Sequence, residues 1–455
     1  MTHLNFPHLR ADHYWLTNAH VPAPLLIGDD LPEVDELAHV DLEITNGTIT
    51  QIVAHGSGHL IEDTVPTIDL KRGQVWSGFV DLHTHLDKGH IWQRSPNRSG
   101  TFQEALQRVQ CDSEKYWDAE DVYRRMEFAL KCSYANGTTA IRTHIDSAGK
   151  QSEISFKVFK TLQAEWSDRL TLQAVSLVPI DYFQTPEGEK LADLVAEVGG
   201  ILGGVVFMRD DLDAKLDRVF ELASERQLSL DFHTDESGDP DDIALRQVAY
   251  AVLRHDFTKQ VVCGHCCSLA VQSSSEVFKT LKAVKQANIG VVSLPMCNLY
   301  LQDRNQDASQ HFSPDLLLHE QFPSQTPRWR GITLIHELKH YGVPVAVASD
   351  NCRDPFYSYG NHDVLEVFNQ ATRIAQFDAP FTDWCQTVTT TPADLMGLPT
   401  VGRIGVGLPA NLVLFKARYF NELLARPQSD RVVLRFGQPI NTSLPDYSEL
   451  DDLLI

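Results

Sequence analysis

The chain is 455 residues long, 43% hydrophobic and 22% charged, the composition of a globular protein with room for one large domain and a smaller one. Its formal net charge of −22 excludes a phosphate-backbone binder, because nothing offsets the repulsion, so no nucleic-acid partner is expected. No apolar run is long enough to span a bilayer, and Met1-Thr2-His3-Leu4-Asn5-Phe6-Pro7 lacks the charged-then-apolar layout of a signal peptide, so a cytoplasmic protein with no membrane partner is expected.

Residues from about 13 to 54 alternate weakly, as in Tyr14-Trp15-Leu16-Thr17 and Val40-Asp41-Leu42-Glu43-Ile44. Asn46-Gly47 then makes a hairpin turn into Thr48-Ile49-Thr50-Gln51-Ile52-Val53. This reads as a small β domain. Its partner stands at the far end, in 402–415 and 431–435, so the two ends are expected to fold together: 1–76 with 402–455, and 77–401 between them.

In that central region short apolar strands alternate with helical stretches. Strands are expected at 79–85, 138–144, 171–178, 201–207, 228–233, 260–265, 289–294 and 343–349. A helix is expected over 212–227, where Leu212, Leu216, Val219, Phe220 and Leu222 carry helical spacing. Eight such β/α units predict an α/β fold of the (β/α)8 TIM barrel type. A doubly wound open sheet competes, but no glycine-rich phosphate loop follows the first strand.

Barrel chemistry sits at the C-terminal ends of the strands. Here strand 1 ends in His83 and His85, strand 2 in His144, strand 5 in His233, strand 6 in His265 and strand 8 in Asp350. His83 and His85 share a face because strand side chains repeat every second residue. With His233 and Asp350 they offer three neutral nitrogens and one carboxylate to one divalent metal ion, zinc or ferrous iron, with room for a water. Such an ion brings the pKa of water near neutrality. Asp350 can accept the water's proton, and His265 can hold or polarise the hydroxide. Glu236, three residues past His233, is placed to pass protons to a substrate nitrogen, with Asp235 as the rival carboxylate.

Five further residues just beyond the strands are candidate substrate contacts: Lys88, His144, Asn298, Asn351 and Phe356. His144 either orients a ligand or hydrogen-bonds behind the metal ligands, and Phe356 either stacks on a heterocycle or fills the loop core. An insert around 305–330, with Asn305, His311 and several prolines, reads as a surface loop or a lid. Eight cysteines show no framework spacing. Cys263-Gly264-His265-Cys266 lacks the second pair of a zinc knuckle, and reduced thiols are expected.

This constellation resembles the amidohydrolase superfamily, with its His-x-His on strand 1, single histidines on strands 5 and 6, and aspartate on strand 8. The terminal segments look like its small β-sandwich. Two-metal members place a carboxylated lysine at the end of strand 4. Val205-Val206-Phe207-Met208-Arg209 has no lysine, which favours the one-metal arrangement of deaminases. Phe79-Val80-Asp81-Leu82-His83-Thr84-His85-Leu86-Asp87, Arg142-Thr143-His144-Ile145-Asp146 and His233-Thr234-Asp235-Glu236 are similar to the cytosine deaminase branch. Two departures stand out. Cytosine deaminases read the pyrimidine amide edge with a glutamine after strand 3, where this chain has Pro179-Ile180-Asp181, so Ile180 takes the specificity position. They also carry a second aspartate after the metal-binding one, where this chain has Asn351. Ser349-Asp350-Asn351-Cys352-Arg353-Asp354 looks more like the N-isopropylammelide amidohydrolases of triazine breakdown.

The resemblance implies a homo-oligomeric, metal-dependent aminohydrolase. Its reaction would displace an exocyclic amine from a small-molecule heterocycle such as cytosine or a related pyrimidine, purine or triazine. Hydrolysis of a cyclic amide or N-dealkylation is the enzymatic alternative, and a non-catalytic scaffold on the same fold is the other. Product analysis separates the first two, and metal content tests the third.

Overall fold

The computed structural model describes residues 11–28, 33, 34, 36–58, 61, 62, 64–304 and 326–454. The expectations for Met1–Pro7 and for Asn305 and His311 of the insert fall outside these residues.

Eight strands follow one another through the central region: β1 (Phe79–Thr84), β2 (Thr138–Asp146), β3 (Thr171–Leu177), β4 (Leu202–Val206), β5 (Leu230–Thr234), β6 (Val261–His265), β7 (Gly290–Ser293) and β8 (Val345–Val347). They form one sheet of β1–β3 and another of β4–β8, each in sequence order. Parallel bridges Val175 to Ile201 and Pro179 to Val205 join β3 to β4, and a parallel bridge from Thr84 to Asp350 joins β1 to the end of β8. These bridges close the eight strands into a ring. The strands are short and apolar because both faces are covered. Every residue of β5 and β6 is buried.

The helices α1 (Phe102–Tyr116), α2 (Ala119–Ala135), α3 (Gln151–Glu165), α4 (Pro186–Glu197), α5 (Leu212–Glu225), α6 (Ala244–Arg254), α7 (Ser274–Gln286) and α8 (Pro295–Leu301) occupy the connections. In α5 the apolar stripe Leu212, Leu216, Val219, Phe220 and Leu222 is buried, as its spacing requires. No helix among the described residues is long and apolar enough to cross a membrane. Cys263 and Cys266 are buried thiols, raised above their ordinary pKa by desolvation.

Close packing of ring strands leaves no room for a side chain at Gly203 of β4. A Cβ there would stand 2.3 Å from the Asp231 carbonyl oxygen and 2.4 Å from Val175 Cγ1. Gly203→Ala is therefore expected to destabilise the protein by about 1–3 kcal/mol, read as a lower urea midpoint. An unchanged midpoint would mean β4 sits elsewhere.

The ends of the chain share one β structure. Strand 13–22 pairs antiparallel with 37–45, which turns at Asn46-Gly47 into 48–54. Strand 75–77 pairs with 412–414, which pairs with 432–435. Tyr14, Leu16, Leu42 and Ile49 share a core with Ile404, Leu412 and Leu434.

The chain divides into two compact units, residues 1–81, 131–140 and 363–445, and residues 82–130, 141–362 and 446–455. This partition differs from the expected 1–76 with 402–455. Residues 363–401 go with the chain's ends, where Asp363 pairs with Arg431 at 2.6 Å and Gln386 Nε2 donates to the Pro24 carbonyl at 3.0 Å. Residues 446–455 go with the ring, where Asp452 pairs with Arg124 at 2.7 Å and the Leu453 carbonyl accepts from Arg94 at 2.9 Å.

Candidate metal centre and cavity

Strand periodicity brings His83 and His85 to one face of β1, and β5 presents His233 beside them. Asp350 follows β8 with a left-handed φ of +60°, a conformation that non-glycine residues hold only when their surroundings enforce it. The Asp350 N–H donates to the His83 carbonyl at 2.9 Å, which fixes the turn.

The side chains converge. His83 Nε2 lies 3.2 Å from His233 Nε2, which is 3.3 Å from His85 Nε2. Asp350 Oδ1 is 3.2 Å from His85 Nε2 and 3.6 Å from His83 Nε2. All four residues are buried. Burial and the neighbouring positive groups hold all three imidazoles well below their ordinary pKa, so each is neutral with a lone pair to offer. Shared protons cannot satisfy so many converging acceptors, because one neutral ring has only one N–H. A divalent ion can, and these separations suit ligands roughly 2.0–2.2 Å from one ion. The donor set therefore fits the expected metal.

Glu236 stands beside this cluster. Its Oε1 lies 3.3 Å from His265 Nδ1 and accepts from Asn298 Nδ2 at 3.4 Å. Burial, reinforced by the Asp350 charge, pushes its carboxyl well above the usual range, which favours the protonated form. Asn298 Nδ2 also lies 3.0 Å from His265 Nδ1. With the amide donating there, the neutral His265 ring carries its proton on Nε2. Burial keeps that ring neutral, with its pKa lowered to about 3.

The rival carboxylate is occupied elsewhere. Asp235 accepts from the backbone N–H groups of Ala244 at 2.7 Å and Leu245 at 2.9 Å, capping α6.

A cavity of about 470 Å³ opens over the cluster, lined by His85, His233, Glu236, His265 and Asp350. Of the predicted substrate contacts, Lys88, Asn351 and Phe356 line it as well. Lys88 Nζ lies 2.9 Å from Asp146 Oδ1 and 5.2 Å from the Phe356 ring centre. Asn351 donates to Asp354 Oδ2 at 2.7 Å. Asn298 contacts Glu236 and His265, and His144 packs its ring 3.8 Å from that of His83, with Nε2 3.8 Å from Asp231 Oδ1. Neither lines the cavity. Ile180 does not line it either. It is buried in a 3-10 turn at Ile180–Gln184, and the neighbouring Val178 and Pro179 line the cavity in its place.

Sequence reading passed over Asp146, Phe102, Gln103, Gln107 and Gln110, all of which line the cavity. Two of these signals were available. Asp146 lies two residues past His144 on one strand, hence on the same face, and the three glutamines of α1 fall at i, i+4 and i+7, one helical stripe.

Comparison with known proteins shows the family. The pattern of the amidohydrolase family matches residues 118–440. A pterin deaminase of Rhizobium rhizogenes strain K84 is 47% identical over 447 residues, 98% of this chain and 97% of its own. An N-isopropylammelide isopropyl amidohydrolase of Pseudomonas sp. strain ADP is 22% identical over 341 residues, 72% of this chain and 74% of its own. Among solved structures, 5-methylcytosine deaminase of Klebsiella pneumoniae liganded with 5-fluorocytosine has the same fold. Its TM-score is 0.78 at 23% identity, over 95% of this chain and 98% of its own.

Proposed function

Because the chain belongs to the amidohydrolase family, we propose that it is a metal-dependent deaminase of an aminated bicyclic heterocycle of the pterin type. The observation that carries the reading is a buried Glu236 carboxyl beside a three-histidine, one-aspartate cluster at the floor of a cavity. The substrate class draws support from the pterin deaminase that is 47% identical along nearly the whole chain.

His83, His85, His233 and Asp350 would hold the ion, zinc or ferrous iron. Bound there, it lowers the pKa of water toward neutrality and so supplies hydroxide at working pH. Asp350 takes the proton of the attacking water. His265 Nε2–H steadies the oxygen as it adds to the ring carbon that bears the amine. Glu236 donates its proton to the adjacent ring nitrogen, which absorbs the electron pair; its carboxylate then takes the proton of the added hydroxyl as the carbonyl forms, and Asp350 passes the proton it took from water to the departing amine. Water is consumed, ammonia leaves, and the ring keeps an oxo group in place of the amine. Lys88, Asn351 and Phe356 meet the periphery of the substrate, with Phe356 offering a ring face. A cytoplasmic homo-oligomer is part of the same proposal; size-exclusion chromatography coupled to light scattering tests the oligomeric state, and a single-chain mass would overturn it.

Ammonia release is the direct assay. Protein of known zinc and iron content is expected to liberate ammonia from 2-amino-4-oxopteridine with the ring intact. Cytosine, 5-methylcytosine, isocytosine, isoguanine and aminated triazines serve as competitors. A new carboxylate without ammonia would replace deamination by cyclic amide hydrolysis. Release from a pyrimidine alone would keep the reaction and discard the bicyclic substrate.

A further inference from the structure

A second set of ligand-type side chains lies outside the cavity. His90, Cys352 and His362 are buried, and their ligand atoms all lie within 4.8 Å of one another. None of the three lines the cavity described above. His90 Nε2 and His362 Nε2 approach to 3.2 Å, the same separation as His83 and His233 in the catalytic cluster. Both histidines hold left-handed backbone, with φ of +66° and +49°, so the surrounding chain spends conformational energy to turn these rings toward each other. Their buried Nδ1 atoms have no hydrogen-bond partner among the described residues. The Nε2–Nε2 contact places one ring's proton on Nε2, and that proton shifts to the unpartnered Nδ1 when an ion takes both Nε2 atoms. Burial lowers the pKa of both rings, that of His362 to about 4, which leaves their lone pairs available.

We propose that His90, Cys352 and His362 form a structural zinc site, separate from the catalytic ion. Two imidazole nitrogens and one thiolate are a borderline-to-soft donor set that prefers zinc to magnesium or calcium. On binding, the Cys352 S–H bond breaks, an S–Zn bond forms and the proton goes to solvent. The charges of Arg353 and Arg125 help hold the His90 ring neutral, and Asp121 offsets that of Arg125 at 2.6 Å.

The backbone gives the site a role. His90 N–H donates to the Cys352 carbonyl at 3.1 Å, Trp92 N–H to Arg353 at 2.8 Å, and Arg353 N–H to Tyr359 at 2.9 Å. An ion on the three side chains fastens the loop after β1, which carries Lys88, to the loop after β8, which carries Asn351. The inference does not depend on which substrate the cavity takes.

Metal content tests it. Full-length protein from zinc-supplemented growth is expected to hold two equivalents per chain, and Cys352→Ser one. After exchange into cobalt, the wild type should show near-ultraviolet thiolate-to-cobalt charge-transfer absorption. His83→Ala should keep this band, and Cys352→Ser should lose it. One equivalent in the wild type, or cobalt protein without the band, overturns the site. So does a band that survives in Cys352→Ser. Should Cys352→Ser fail to fold, the wild-type stoichiometry and the His83→Ala spectrum still decide.

Discussion

Glu236→Gln is expected to lower turnover by about 10²–10⁴-fold, the usual contribution of a positioned acid–base group, while bound metal stays at the wild-type level. Glutamine keeps the length of the side chain and can still meet Asn298, so the cavity keeps its shape. It cannot surrender and recover a proton. The carboxyl suits that task because burial and the Asp350 charge favour its protonated form where an exposed glutamate is ionised. Its position, next to His265 and clear of the four-residue cluster, is why metal retention is expected. Steady-state ammonia release with metal analysis on the same sample is the measurement. Wild-type turnover in the variant would remove Glu236 from the reaction.

His83→Ala is expected to lose metal and activity together. Losing even an outer hydrogen-bond partner of a ligand weakens metal binding by roughly 10–100-fold, so deleting a ligand from the centre of the cluster should cost more. His83 Nε2 is within 3.6 Å of Asp350 Oδ1 and 3.2 Å of His233 Nε2, so its removal opens one side of the set. The ring is also packed against His144, and alanine leaves a gap there. Circular dichroism separates loss of metal from loss of fold. Full metal retention in folded protein would exclude His83 from the ligands.

Much of the fold was legible because the relevant periods are local. A strand repeats every second residue and a helix every 3.6, so eight apolar runs separated by helical stripes announce a β/α succession. The same period two placed His83 and His85 on one face. Strand ends could be located within a few residues, and the polar residues at those ends were readable as a group.

Other features depend on partners far away in sequence. Asp235 and Glu236 are adjacent carboxylates that no local rule ranks. Two backbone N–H groups at the start of α6 occupy the first, and burial beside Asp350 raises the pKa of the second. Ile180 stood one residue past a wall that ends at Pro179, and a 3-10 turn took it inward. The pairing of Lys88 with Asp146 joins two strand ends, and the claim of residues 446–455 on the ring rests on Arg124 and Arg94. By itself the sequence determined the element order, the strand faces and the residue types at the strand ends. Only tertiary structure decided which carboxylate is spoken for, which side chains reach the cavity and which groups hold protons. Backbone periodicity is set by neighbouring residues, whereas desolvation and hydrogen-bond partners come from whatever the fold brings alongside.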